Sequence, residues 1–293
     1  MFDTTLVTIA CSRDRAIQEL QSYSIDKFIK DPCEHIIVIE DNKISYDEWY
    51  AMLSPYYTKH KLILLKTLLS KDTYANDSVI KNGWHRSIFL KLLVANTVTT
   101  SRYLVLDSKN FFINSVILDE WPCNEGNHLV EQLHLNRKLS NGRSWPEFFQ
   151  FADKHNIPIT DNAYSTTTPF MFNTTIVREI LTLDDLYPLF FNREGWASEF
   201  FLYSIYTQNQ GNQLVNGPAV NVTFWNTERK LNNKTLTDIY SWPNLKSIGL
   251  HRDIIAHNTD LTELYNFLDS INFDSDVVVK CLTQYRKDLN EQR

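Results

Sequence analysis

The segment Tyr103–Phe112 (YLVLDSKNFF) carries the clearest chemical signal in the sequence. An apolar, strand-like run ends at Asp107, and Ser108 and Lys109 follow it directly. In a sheet of parallel strands these residues lie at the carboxyl edge, where such sheets bind ligands. A charged side chain at that edge must be hydrated or liganded. The segment therefore predicts a binding site, with a solvated strand end as the alternative.

The elements that would position this segment alternate between strand and helix. Apolar, β-branched runs predict strands at Thr5–Ala10, His35–Glu40, Lys61–Lys66 and Arg102–Asp107. Helices are predicted at 17–28, at 45–55 behind the capping box Ser45-x-x-Glu48, and at 84–99. This order predicts an α/β fold with a mostly parallel central sheet flanked by helices.

The regular alternation of predicted strands and helices ends after residue 123. Predicted strands are Thr168–Phe172 and Ala219–Trp225, and predicted helices are Trp145–His155, Thr174–Thr182, Glu194–Gln208, Asp260–Ser270 and Asp276–Leu289. Neither a Pro/Ser-rich linker nor an internal repeat separates the parts. We therefore expect a single domain over residues 1–293, in which residues 1–123, residues 124–259 and the C-terminal helices (260–293) share one core.

Composition excludes several classes of protein. The 293 residues are 43% hydrophobic and 22% charged, which is typical of a globular chain. A net charge of −6 argues against a nucleic-acid partner. The lack of a long apolar run predicts no membrane span, and the N-terminus lacks a secretory pattern, so a cytoplasmic location is expected. The sequence contains neither G-x-G-x-x-G nor a Walker A loop, which argues against a dinucleotide dehydrogenase and a P-loop kinase.

The segment Leu106–Asn110 resembles the motif of nucleotide-sugar glycosyltransferases of fold type A (GT-A), in which an apolar strand ends in Asp-x-Asp. It is most similar to a bacterial and phage group that reads Leu-Asp-Ser-Lys-Asn. The resemblance extends to Thr168–Phe172, Ser198–Phe200 and Leu250–Arg252. It implies a GT-A-like domain that transfers a sugar from a nucleoside diphosphate, most simply a UDP-sugar, to a glycan or other hydroxyl acceptor. It also implies a nucleotide-binding half at residues 1–123 and an acceptor-binding and catalytic half at residues 124–259. Inversion at the anomeric carbon is the preferred stereochemistry, and the cytoplasm would be that of a bacterial host if the chain is phage-encoded.

Lys109 stands where the second aspartate of that motif usually lies. Divalent ions prefer carboxylate ligands, and a lysine there would repel them. An ammonium group can itself neutralise the charge that builds on a departing diphosphate. We therefore expect Lys109 to be catalytic and no cofactor to be required. Mn²⁺ or Mg²⁺ bound by Asp107 and His251 is the alternative.

The resemblance also implies where the donor binds. The residues assigned to the nucleotide-sugar are Ser12, Arg13, Asp14, Asp41, Arg86, Lys91, Asp107, Ser108, His251 and Arg252. Each has a structural alternative, such as a turn or helix cap after a strand, a solvated helix face, or a structural histidine.

In inverting enzymes of this fold a carboxylate takes the proton from the acceptor hydroxyl, and the corresponding residue here is Glu199. An ordinary first-turn acid, favoured by the helix dipole, is the competing interpretation. Glu194, Asp184 and Asp185 are the substitutes.

Two other functions stay open. A nucleotidyltransferase shares the sheet and the carboxylate but normally needs a glycine-rich loop after the first strand, and Cys11–Arg15 contains no glycine. A non-catalytic protein that binds a nucleotide-sugar or carbohydrate is also compatible with the lysine at position 109.

Overall fold

The computed structural model describes residues 3–40, 44–56, 60–69, 83–121, 127–128, 130–132, 146–159, 162–164, 167–191, 198–212, 214–224, 233–257 and 260–291. Its strands are β1 (Thr4–Ala10), β2 (His35–Ile39), β3 (His60–Leu64), β4 (Arg102–Asp107), β5 (Asn110–Phe112), β6 (Asn127–His128), β7 (Val130–Gln132), β8 (Asn162–Tyr164), β9 (Phe170–Asn173), β10 (Val215–Asn216), β11 (Asn221–Phe224) and β12 (Ser247–Leu250). Its helices are α1 (Arg15–Phe28), α2 (Tyr46–Leu53), α3 (Leu65–Leu68), α4 (Gly83–Leu93), α5 (Pro146–Lys154), α6 (Thr174–Ile180), α7 (Leu186–Phe191), α8 (Glu199–Asn209), α9 (Asn233–Tyr240), α10 (Arg252–His257), α11 (Thr262–Ser270) and α12 (Ser275–Asn290).

The central sheet has five strands in the order β3-β2-β1-β4-β9. Strand β2 pairs with β3 in parallel, and β9 pairs with β4 in the antiparallel direction. The predicted α/β fold with a mostly parallel central sheet flanked by helices is confirmed. Strand β2 is buried along its whole length, as its continuous apolar run predicts for a sheet covered on both faces.

Three smaller sheets accompany the central one. The largest has the order β11-β12-β5, with β11 parallel to β12 and β12 antiparallel to β5. It places Gly249 opposite Asn110, directly after the Asp107–Lys109 segment. A Cβ atom at Gly249 would lie 2.7 Å from both Asn110 Nδ2 and Thr223 Oγ1, so the side chains of these two neighbours fill the space that a larger residue would need.

Contacts divide the chain into two compact units. The first comprises Met1–Ile9, Leu65–Val105 and Pro122–Pro218, and the second comprises Ala10–Leu64, Leu106–Trp121 and Ala219–Arg293. The core of the first unit is aromatic: the rings of Phe170 and Phe200 stack with centroids 4.4 Å apart. A cluster in the second unit is mainly aliphatic, around Ile37, Ile39 and Leu53. The predicted single domain, with its donor and acceptor halves, stays a prediction.

Several predicted elements differ at their ends. Strand Arg102–Asp107 has the predicted bounds, whereas the helix expected over 84–99 ends at Leu93 and continues as the 3₁₀ turn Val94–Asn96. The Thr97 hydroxyl donates to the Val94 carbonyl at 2.8 Å, and this local hydrogen bond competes with helix continuation. The strand expected over 61–66 ends at Leu64, where α3 begins.

The helix expected over 194–208 is described from Glu199 onward, and residues 194–197 lie outside the described residues. Within the described ranges, every helix is too short or too polar to cross a bilayer.

Candidate active site

The strand order of the central sheet marks where a ligand is expected. From β1 the chain adds β2 and β3 on one side and β4 on the other, so the order reverses between β1 and β4. In open α/β sheets ligands bind outside the carboxyl ends of the strands at such a switch point. The segments that follow these two ends are Cys11–Asp14 and Asp107–Asn110, and both belong to the second unit.

Asp107 and Lys109 form an ion pair at the end of β4. Lys109 Nζ lies 3.2 Å from Asp107 Oδ2, and the two side chains are 21% and 26% exposed, in that order. Ser108 between them is buried. Since both charged groups reach solvent, a ligand with an anionic group can approach the ammonium without unfolding the turn.

The backbone of this turn is held on two sides. The Asp107 N–H donates to Asn110 Oδ1 at 2.9 Å, and the Leu250 N–H donates to the Lys109 carbonyl at 3.1 Å. The second bond joins the turn to the end of β12, immediately before His251 and Arg252. The His251 N–H donates to the Phe224 carbonyl at 2.9 Å, and Arg252 is exposed as the first residue of α10. The structure thus places the late His-Arg pair directly after a residue that bonds to the Asp107–Lys109 turn, and the donor-binding roles assigned to these residues stay predictions.

The turn after β1 carries a second group of predicted residues. Ser12–Asp14 form one 3₁₀ turn, and the Cys11 thiol donates to Asp14 Oδ2 at 3.0 Å. Burial, and then the Asp14 carboxylate, raise the pKa of the Cys11 thiol to about 12, so the thiol stays protonated and acts as a donor. Arg13 Nε lies 3.8 Å from Asp14 Oδ1.

Tyr285 of α12 is a member of this group that sequence reasoning missed. Burial raises the pKa of the Tyr285 phenol above its usual range, and the neighbouring Asp14 and Cys11 raise it further. The positive charges of Arg13 and Arg252 act in the opposite direction and lower this pKa. The sequence pattern did not indicate this position for Tyr285, because an aromatic residue on the apolar face of an amphipathic helix predicts only a place in the core.

A cavity of about 1170 Å³ opens beside Ser12 and Arg13. It lies between α1, α2 and α12, and is large enough for a nucleotide-sized ligand. Apolar side chains of Ala51, Met52 and Val279 line part of it. Its charged lining residues have both signs: Arg13, Arg15, Lys280, Glu19, Glu48, Asp288 and Glu291.

Lys91 and Glu199 form a different ion pair in the first unit. Lys91 Nζ lies 3.0 Å from Glu199 Oε1, and the side chains are only 8% and 3% exposed. The ammonium also lies 5.1 Å from the centroid of the Phe200 ring, and the Tyr103 hydroxyl donates to the Lys91 carbonyl at 2.9 Å. Glu199 is the first residue of α8, which Ser198 caps by accepting from the Phe201 N–H. The structure therefore joins a predicted donor-binding lysine to the predicted base, and the roles assigned to both stay predictions.

The remaining predicted residues lie elsewhere. Arg86 is half-buried in the first turns of α4. Asp184 and Asp185 occupy the turn before α7, where Lys154 pairs with Asp185. Asp41 and Glu194 lie outside the described residues.

The predicted independence from a divalent ion depends on the charges around Asp107 and stays a prediction. An ammonium group 3.2 Å from the carboxylate already supplies the positive charge that such an ion would bring. Among the described residues, we find no group of three or more histidine, cysteine, aspartate or glutamate side chains that could hold a metal.

Residues 13–225 match the Family of unknown function (DUF6492). No curated protein matches the chain. Among solved structures, the chain is similar to the apo structure of the WbbM bifunctional glycosyltransferase, at 14% identity and a TM-score of 0.51, over 96% of this chain and 52% of that one. It is also similar to galactosyltransferase LgtC in complex with donor and acceptor sugar analogues, at 10% identity and a TM-score of 0.50, over 92% of this chain and 97% of that one. Such low identities show the fold alone, which is GT-A-like.

Proposed function

The chain belongs to the Family of unknown function (DUF6492), and we propose that it is a glycosyltransferase that moves a sugar from a nucleoside diphosphate, a UDP-sugar, to a hydroxyl acceptor. One observation carries the proposal. A half-exposed aspartate–lysine pair lies at the carboxyl end of a buried strand, at the switch point of a GT-A-like sheet. This is where the fold leads us to expect a ligand, and the lysine offers that ligand a positive charge.

The charges near this pair suit a diphosphate. Arg252 follows the strand that bonds to the Lys109 backbone, and both Arg13 and Arg252 act electrostatically on the Tyr285 phenol and lower its pKa. Guanidinium and ammonium groups both bind phosphate oxygens well. The cavity beside Arg13 would accept the nucleoside, with Asp14 as a hydrogen-bond acceptor for a base or ribose.

In the proposed reaction, the acceptor oxygen forms a bond to the anomeric carbon of the donor sugar. The bond between that carbon and the diphosphate oxygen breaks, and its electron pair leaves with the diphosphate. Lys109, His251 and Arg252 would stabilise the charge that develops on this leaving group. The chemistry requires no metal ion in this scheme, because the chain's own cations supply the counter-charge.

Glu199 remains the proposed base for the acceptor proton. The Lys91 ammonium lies 3.0 Å from Glu199 Oε1, so an acceptor hydroxyl has to compete with it for the carboxylate. Proton uptake would therefore require the ion pair to loosen when the acceptor binds. If Glu199 is not the base, Asp184, Asp185 and Glu194 are the residues to examine next.

The test is calorimetry with UDP-, GDP- and CDP-sugars, followed by assays of donor hydrolysis and sugar transfer. We expect one UDP-sugar to bind and to be hydrolysed slowly without an acceptor. Lys109→Ala should lower turnover about ten- to a hundredfold, the effect of one lost charge-assisted contact to the leaving group.

A matched control is Lys287→Ala, which removes a lysine from an exposed helical pair with Glu291 in the same unit. This variant should behave as the wild type does. Binding of nucleotide-sugars without any turnover would instead support a non-catalytic binding protein. Preference for a free nucleoside triphosphate would support a nucleotidyltransferase, and either result would contradict the proposal.

A further inference from the structure

Helix α1 carries polar side chains on the face that it buries. Gln18 and Gln21 are both fully buried, and Ser22 and Ser24 beside them are at most 1% exposed. A buried amide destabilises a fold unless its hydrogen-bonding groups find partners. The partners of these glutamines therefore indicate what they do.

The Gln21 amide holds both ends of the turn that carries Asp107 and Lys109. Gln21 Nε2 donates to the Asp107 carbonyl and to the Asn110 carbonyl, each at 2.7 Å. An amide NH₂ has two hydrogens, so these two bonds use its full donor capacity. The turn is thus held at its first and last residues by one buried side chain.

Gln18 fixes which way round the Gln21 amide lies. Gln18 Nε2 donates to Gln21 Oε1 at 2.9 Å. If the Gln21 amide turned over, its oxygen would face two carbonyl oxygens and repel them. The oxygen of Gln18 itself is buried and has no hydrogen-bond partner among the described residues. A group that leaves an unpaired acceptor in the core adds little to stability, so its contribution is the orientation of Gln21.

We propose that Gln21, oriented by Gln18, is a positioning residue that directs the Asp107 and Lys109 side chains toward the donor diphosphate. This inference rests on the proposed function of that pair. Gln21 acts only through the backbone of the turn and does not itself touch the donor. The expected consequence is a loss of diphosphate affinity when the orientation of Gln21 is lost, even where the fold stays intact.

Gln18→Met is the decisive variant. It removes the Gln18 donor to Gln21 Oε1 together with the buried Gln18 oxygen that has no partner among the described residues, so the unfolding midpoint should stay close to that of the wild type. Affinity for UDP, measured by calorimetry, should fall by up to about tenfold, the range of one buried hydrogen bond. Gln21→Met should lower it ten- to a hundredfold, with a clear loss of stability. If Gln21→Met does not fold, Gln18→Met alone decides the matter.

Ser22→Ala is the matched control, since Ser22 lies on the same helix, is equally buried and has a hydroxyl without a partner among the described residues. It should bind UDP as the wild type does. Hydrogen exchange at the Asp107 amide measures how firmly the turn is held when no ligand is bound. It should be faster in Gln18→Met than in Ser22→Ala. Unchanged UDP affinity in Gln18→Met, with or without faster exchange, overturns the inference. A wild type that binds no nucleotide refutes the proposed function instead, while the exchange rates still decide whether Gln21 shapes the turn.

Discussion

Among the lysine–carboxylate pairs of the described residues, Lys91–Glu199 and Asp107–Lys109 have nearly equal distances but very different surroundings. The Lys91–Glu199 pair, 3.0 Å long, is less than a tenth exposed at either side chain and lies against the aromatic rings of the first unit. The Asp107–Lys109 pair, 3.2 Å long, is between a fifth and a third exposed and lies on a turn of the second unit. Distance alone would give the two pairs the same role.

Burial separates their roles. A buried pair has lost the hydration of both charges, so neither partner can be removed without leaving an uncompensated charge in the core. A pair that reaches solvent contributes little to stability, and its partners can rearrange when a ligand arrives. We therefore expect the Lys91–Glu199 pair to be needed for folding as well as for the proposed chemistry, and the Asp107–Lys109 pair to be needed for function alone.

The largest effect is expected from Glu199→Gln. Glutamine is nearly isosteric with glutamate and cannot accept the acceptor proton, so turnover of the folded protein should fall about 10²- to 10⁴-fold while donor binding is retained. The variant should also be less stable than the wild type, because the buried Lys91 ammonium loses its counter-charge. Steady-state rates and donor calorimetry measure the two quantities separately. A rate near that of the wild type would locate the base elsewhere and reduce the Lys91–Glu199 pair to a structural feature.

Lys91→Met should destabilise the fold by about 3–5 kcal/mol, because it leaves the Glu199 carboxylate buried without its partner. Chemical denaturation measures this loss. The double variant Lys91→Met with Glu199→Gln removes both charges and should recover much of the stability. A loss below about 1 kcal/mol in the single variant would show that the burial of this pair has no energetic consequence.

Lys109→Met should change the free energy of unfolding by less than about 1 kcal/mol, as expected for an exposed pair. The same denaturation experiment applies, with Lys287→Met as the exposed control. If Lys109→Met destabilises the fold as much as Lys91→Met does, the contrast between the two pairs does not hold.

Chelation is expected to have the smallest effect. Because Lys109 supplies the counter-charge beside Asp107, most of the activity should survive EDTA. Lys109→Asp restores the commoner Asp-x-Asp pattern and should make the rate depend on added Mn²⁺. Complete loss of wild-type activity with EDTA and full recovery with metal would identify Lys109 as a bystander at a metal site.

The sequence predicts the central sheet well because buried strands can be identified by their continuous apolar runs. Arg102–Asp107 is such a run, and its bounds are as predicted. The three-residue strand Asn110–Phe112 is different, since its strand character comes from pairing with Ser247–Gly249, far away in the chain. Local pattern cannot reveal an element whose partner supplies its hydrogen bonds.

The residues of the candidate site also fall into those that the sequence pattern indicates and those that only the fold reveals. A charged residue that ends an apolar strand is visible in the sequence, so Asp107 and Lys109 could be predicted. Gln21 could not, because its role depends on two carbonyl groups that only the fold brings to it. A buried run of Gln and Ser on an otherwise amphipathic helix was the available signal. The sequence also did not indicate that Lys91 pairs with Glu199, because the two residues lie far apart in the chain and each was assigned a separate role.

The central claim is that Lys109 binds the diphosphate of a nucleotide donor, and a comparison of UDP with UMP tests it most directly. Calorimetry would measure both affinities for the wild type, Lys109→Ala and Lys287→Ala, so that the ratio isolates the second phosphate. We predict that UDP binds more tightly than UMP to the wild type and to Lys287→Ala, and that Lys109→Ala loses about tenfold of that preference. An equal UDP-to-UMP ratio in all three proteins would contradict the account.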